Sequence, residues 1–191
     1  MNEMIAIVFL GDFFYDARCI NMANSLIDSG YDIIIIDSGK SNNKYRGQKI
    51  ISISLNQTGL CRYWKFFYKS KKILKKFSPK IVISADLFSL AASNSLNNTP
   101  VIYDSREIYT QLASLIDSPL KQKFWSYIEN INIKSVSKVI VTADRDAIFL
   151  KERYNNISIE IIKNFPSKKQ VTSKIFMSKK ISNVLRRGKI F

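Results

Sequence analysis

Seven short runs rich in isoleucine and valine constrain this chain's fold more than any other feature. They lie at Met4–Leu10, Asp32–Asp37, Ile50–Leu55, Lys80–Ala85, Val101–Asp104, Lys138–Thr142 and Ser158–Ile162. Several are continuous rather than alternating (IAIVFL, IIII, KIVIS, KVIVT), the pattern of strands buried on both faces of a parallel sheet. Helical periodicity fills the gaps. Asp16–Ser29 places Ile20, Ala23, Leu26 and Ile27 on one face, and Leu60–Phe77 places Leu60, Tyr63, Trp64, Phe67, Leu74 and Phe77 on one face. Asp86–Leu96 is shorter; Leu120–Ser135 carries Phe124, Tyr127, Ile128 and Ile131; Asp144–Tyr154 turns Ile148 and Phe149 inward. Strands alternating with helices predict an α/β fold. The expected form is a doubly wound, mostly parallel sheet of about seven strands with helices on both faces, and ligands outside the carboxyl ends of the strands. Residues 38–49 read as a polar loop. Residues 1–166 read as the domain, and 167–191 as a basic linker or the start of a further unit.

Composition narrows the chemistry. The chain has 191 residues, two cysteines and no histidine. Two cysteines build no disulfide framework, and without histidine there is no Ser-His-Asp triad, no Cys-His pair and no histidine-containing zinc site. Proton transfer falls to Asp, Glu, Lys, Tyr or a partner molecule. The first apolar run is short and follows Glu3 without a basic region, a poor signal peptide; no apolar run approaches the ~20 residues that span a bilayer. A cytoplasmic location is the expectation.

The net charge of +15 is clustered: residues 61–80 hold 8 basic and no acidic residues, and 161–191 hold 9 and none. In the first segment Arg62, Lys65, Lys69, Lys72 and Lys76 form a stripe beside aromatic residues including Trp64. That is the pattern of a helix lying on an anionic membrane surface, or of a sheet-covering helix with solvated lysines. Charge also admits nucleic acid, but no zinc spacing, aromatic RNP segment or helix-turn-helix accompanies it, so no specific nucleic acid is expected. No P-loop or G-x-G-x-x-G turn is present, which argues against a complete small nucleotide-binding enzyme.

Polar residues gather at the strand ends. After the first strand come Gly11, Asp12, Asp16 and Arg18. Asp16 reads as a helix cap, and Arg18 either binds an anion or is solvated. Asp37 ends the second strand, where a dinucleotide fold keeps its ribose-binding acid. Asp86 follows the fourth strand and reads as a cap. Asp104, Ser105, Arg106 and Glu107 follow the fifth; charges there cost desolvation unless paired internally or bound to a ligand. Thr142-Ala143-Asp144 ends the sixth strand, with Asp144 as the next cap.

In order, the segments GDFFYDARCINMANSLIDSGYDIIIID, IVISADLFSLAA, PVIYDSREIYTQLASLI, FWSYIENINIKSVSKVIVTADRDAIFLKERY and IEIIKNFPS resemble the N-terminal domain of a family 4 glycosyltransferase of the retaining GT-B type. The resemblance covers about residues 4–166. It implies transfer of a sugar from a nucleotide-sugar donor to a glycan or lipid-linked acceptor, with retention, no cofactor and no metal. In this type the N-terminal domain shapes the acceptor side of a cleft, and a C-terminal domain binds the donor. Gly11, Asp12, Asp16, Arg18, Asp86, Asp104, Ser105, Arg106 and Glu107 then become cleft-facing candidates, and Asn164 and Pro166 mark the interdomain crossing; no residue is singled out as catalytic. Many relatives carry His where Arg106 stands, and some carry His where Ala85 stands. Arg106 cannot serve as a base, since its pKa stays above about 12; it is suited to holding a phosphate or carboxylate. No second doubly wound unit or donor motif follows. The expectation is a chain inactive alone: either a fragment or truncated product, or one whose other half is a separate C-terminal-domain chain. The alternative is a non-catalytic, membrane-associated subunit of a split enzyme. Such acceptors imply work at the inner face of a membrane, in cell-surface polysaccharide synthesis.

Overall fold

The computed structural model describes residues 3–40, 44–112 and 117–163. Strands β1 (Met4–Val8), β2 (Asp32–Asp37), β3 (Lys44–Tyr45), β4 (Gln48–Ser52), β5 (Ile81–Ser84), β6 (Val101–Ser105), β7 (Lys138–Val141) and β8 (Ile159–Ile161) form one sheet in the order β3-β4-β2-β1-β5-β6-β7-β8. All pairings are parallel except β3 with β4. The additional strand, β3, corrects the reading of 38–49 as loop: Lys44–Tyr45 pairs back on β4 through Arg46 and Gly47, both at positive φ (49° and 83°). Two successive left-handed residues give the hairpin its tight turn, and Gly47 supplies one without steric cost.

The helices are α1 (Ala17–Asp28), α2 (Gly59–Phe77), α3 (Leu87–Ser93), α4 (Pro119–Ile133) and α5 (Asp144–Arg153). Successive strands are added outward on one side of β1 up to β4, and from β5 onward on its other side, so the order of the sheet switches between β1 and β5. Right-handed crossovers therefore place α1 on one face and α2 to α5 on the other. The period of two along each strand sorts the core accordingly. Ile5, Ile7, Phe9, Ile33, Ile35 and Ile83 pack with Cys19 and Ala23 of α1. Ala6, Val8, Ile34, Ile36, Val82, Tyr103, Val139 and Val141 pack with the other helices.

The strands fall where the isoleucine runs predict; the inward helix faces partly do not. In α2 the fully buried residues are Phe66, Ser70 and Leu74, while Leu60 and Trp64 are exposed. Small Ser70 lets the helix approach its neighbours, and an apolar count passes over it. In α4 the buried stripe is Trp125, Glu129 and Ile133, while Phe124, Tyr127 and Ile131 face outward. A carboxylate at the centre of the true stripe hides it from hydrophobic periodicity. In α5, Ala147 and Leu150 are buried and Ile148 is exposed. Ala143, not Asp144, occupies the N-cap of α5; Asp144 is its first helical residue.

Candidate functional site

The site lies along the carboxyl edge of the sheet, around the β1–β5 switch. The chain leaves β1 through Phe9–Asp16 in a compact loop. A Cβ on Gly11 would stand 2.8 Å from the Phe9 ring, so only glycine fits that approach without displacing it. The Asp12 side chain accepts from the Phe14 amide (3.1 Å), capping a 3-10 turn over Phe13–Tyr15. Asp37 at the end of β2 accepts from the Phe13 amide (3.0 Å). It is buried, and burial pushes its pKa up against the opposing pull of donors from Ser52, Phe13 and Gly39. The residue in the position of a ribose-binding acid thus secures the β1 loop.

Across the switch, Asp86 is the N-cap of α3: its carboxylate accepts from the Ser89 amide (2.7 Å) and from the Leu10 amide at the end of β1. The cap reading holds, and the side chain also ties β1 to β5. Burial raises its pKa, while the two amides, the Ser89 hydroxyl and Arg106 hold it down.

Four charged side chains interlock beside it. Asp16 caps α1, accepting from the Cys19 amide at 2.8 Å. Its other oxygen accepts from Arg106 Nη1. Arg18, in the first turn of α1, is neither solvated nor free: it grips Asp104 with Nε (2.8 Å) and Nη2 (2.6 Å) and reaches the Ile162 carbonyl with Nη1 (3.3 Å). Arg106 Nε also donates to Asp104 (3.3 Å), Nη2 donates to Cys19 Sγ (2.8 Å), and its guanidinium lies 5.9 Å from the Phe9 ring centre. Asp104 is fully buried; the Arg18 and Arg106 side chains keep 12% and 22% of their exposure. Two guanidinia and two carboxylates cancel, which makes burial of Asp104 tolerable. The choice between internal pair and free binding group resolves as an internal network in this state, with several guanidinium donors uncommitted among the described residues. Burial pushes the Cys19 thiol far up despite Arg106, so Cys19 is an unreactive thiol.

Ser105 is buried behind this network, while Glu107 projects from it, exposed. Arg106, Glu107, Ile108, Gln111, Arg145 and Phe149 border a cavity of about 540 Å³. Arg145, from the first turn of α5, is absent from the sequence-based candidates. So is Glu129, fully buried, which accepts hydrogen bonds from the Tyr103 hydroxyl (3.3 Å) and the Tyr154 hydroxyl (2.8 Å). Burial raises its pKa, opposed by Tyr154 and Arg153. The signal for Glu129 in sequence is a lone acid in a basic, aromatic helix; nothing marks its tyrosine partners. Among the described residues no group of three or more His, Cys, Asp or Glu is arranged to hold a metal ion. Asn164, Pro166 and the basic segment 167–191 lie outside the described residues.

A profile of glycosyl transferase 4-like proteins matches residues 6–143, from β1 through β7. The chain belongs to the glycosyl transferase 4-like family. No curated protein matches it in sequence. Among solved structures, two of sucrose-phosphate synthase from Thermosynechococcus elongatus are similar. One has a TM-score of 0.65 at 10% identity, covering 96% of this chain and 99% of that one. The other has a TM-score of 0.64 at 12% identity, covering 92% and 53%. The lipopolysaccharide outer core galactosyltransferase WaaB, in its apo form, gives 0.60 at 15% identity, covering 86% and 46%. A glycosyltransferase from Rickettsia africae gives 0.59 at 15% identity, covering 93% and 50%. The fold of this glycosyl transferase 4-like chain is one Rossmann-like half of a GT-B fold, and the chain spans about half the length of the last three proteins.

Proposed function

We propose that this chain is the acceptor-side half of a retaining glycosyltransferase, working with a donor-binding domain that completes the cleft. The transfer breaks the bond between the donor's anomeric carbon and its diphosphate oxygen. It forms a bond from that carbon to an acceptor hydroxyl oxygen. The diphosphate oxygen takes the electron pair of the broken bond and accepts the hydroxyl proton as it departs. The family match through residues 6–143 carries this reading, and the polar strand ends inside that span supply the groups it needs. The Asp16–Arg106–Asp104–Arg18 network fixes the edge on which the acceptor rests. Arg106 turns an always-charged guanidinium toward developing diphosphate charge. Glu107 and Arg145 at the open cavity hold acceptor hydroxyls or an acceptor phosphate. The nucleotide sugar is a substrate, and the transfer needs no resident cofactor or metal. The acceptor is a glycan or a lipid-linked saccharide.

The test is nucleoside-diphosphate release from a panel of nucleotide sugars. The purified chain is assayed alone and then with a chain carrying a donor-binding domain. Expected are no turnover alone and turnover in the mixture that falls at least tenfold with Glu107→Gln, an exposed substitution that leaves the core intact. Turnover by the chain alone refutes the half-enzyme reading. Partner-dependent turnover indifferent to Glu107→Gln favours the second reading, a non-catalytic subunit that anchors the active one.

A further inference from the structure

The strongest feature outside the site is on the face of the sheet covered by α2 to α5. Side chains of α2, α3 and α4, among them Trp64, Phe67, Phe88, Phe124, Trp125 and Ile131, line an open apolar groove of about 290 Å³. The core does not need its outer wall, because Phe66, Ser70 and Leu74 of α2 and Trp125 and Ile133 of α4 already close the sheet. Yet Trp64 is 63% exposed, Leu60 58%, Ile131 48% and Phe124 41%, and all four line the groove. Such a contiguous apolar surface marks a contact.

Charge decides what covers it. Helix α2 carries seven Lys and Arg and no acid, and α4 adds Lys121 and Lys123. The single carboxylate on these three helices, Glu129, is buried against Tyr103 and Tyr154. At 100° per residue, Arg62, Lys65, Lys69, Lys72 and Lys76 run along the α2 flank away from the groove, and Lys71 and Lys75 along the near flank. Lys71 Nζ stands 5.7 Å from the Phe67 ring centre. A second copy of this surface would bring two cationic rims together. A nucleic acid would meet the cations but leave the groove empty.

We propose that this groove is an interfacial lipid site: an acyl chain of an anionic bilayer leaflet seats between α2 and α4 while the flanking lysines and Arg62 meet phosphate headgroups. Trp64, Tyr68 and Tyr127 lie at the headgroup boundary, where amphipathic rings are favoured, and lysine stems reach up past them to the phosphates. No helix among the described residues is long and apolar enough to cross a membrane, so the contact lies along the surface. The proposal does not depend on the transferase reading.

Both tryptophans of the chain line the groove, so intrinsic fluorescence reports on it directly. The full chain is mixed with phosphatidylcholine vesicles with or without phosphatidylglycerol, with ordinary or brominated acyl chains. Expected are co-sedimentation with anionic vesicles, quenching by the brominated chains, and at least a tenfold loss of binding when salt rises well past physiological strength. The double variant Leu60→Glu, Ile131→Glu changes two exposed residues; it keeps the fold by circular dichroism and loses both binding and quenching. Binding without quenching, equal binding to neutral vesicles, or undiminished binding by the variant overturns the proposal. So does a dimer in light scattering that the variant dissociates.

Discussion

Substituting Asp104→Asn tests whether the four-charge network holds the edge of the sheet together. Asp104 is fully buried and receives three charged hydrogen bonds, two from Arg18 at 2.8 and 2.6 Å and one from Arg106 at 3.3 Å. Asparagine is isosteric, so no cavity arises, but it removes the charge and replaces an acceptor with a donor facing guanidinium. Removing one partner of a buried ion pair costs about 3–5 kcal/mol. Here Arg106 keeps Asp16 and both guanidinia keep some exposure, so the lower end, about 3 kcal/mol, applies. Arg18→Met leaves Asp104 still paired with Arg106, and its expected cost is about 2 kcal/mol. The double variant removes one charge of each sign and costs about 3 kcal/mol, less than the sum of the singles by about 2 kcal/mol. Urea unfolding at neutral pH, followed by circular dichroism, measures all four chains. A cost below about 1 kcal/mol for Asp104→Asn, or strict additivity in the double variant, refutes the network as a structural element.

Glu129 has a raised carboxyl pKa in the fold, so the stability tied to its protonated form is fully present below its ordinary value of 4.5 and is lost as pH rises through the folded pKa. Glu129→Gln removes that dependence. Urea midpoints of the two chains, compared from about pH 4.5 to 8, should shift in favour of the variant as pH rises; a constant difference contradicts the assignment. The two thiols should also separate. Exposed Cys61 reacts with a disulfide reagent in the native chain, and buried Cys19 only in denaturant. Two fast thiols would mean that the Arg106–Cys19 contact does not persist.

Strand positions and sheet type were legible because isoleucine runs buried on both faces have few other uses. The caps at Asp16 and Asp86 were legible because a short acid before an apolar-periodic run satisfies amides at a helix start. Helix faces were less legible: Ser70 and Glu129 sit at the centres of buried stripes, and neither scores as apolar. The hairpin at Arg46–Gly47 was hidden in a polar stretch, where turn geometry and not hydrophobicity sets the structure.

The sequence by itself determined the α/β order, the clustering of cations and the polar residues at the strand ends, because each is written in local composition and period. The tertiary structure alone decided what those charges do. Arg18 and Asp104 are 86 positions apart, and Asp16 and Arg106 are 90 apart. Parallel pairing that brings the first turn of α1 beside the end of β6 turns four ambiguous ions into one neutral network. The same packing set α4 beside α2 and made a groove from aromatic residues that, read along either helix alone, look like core.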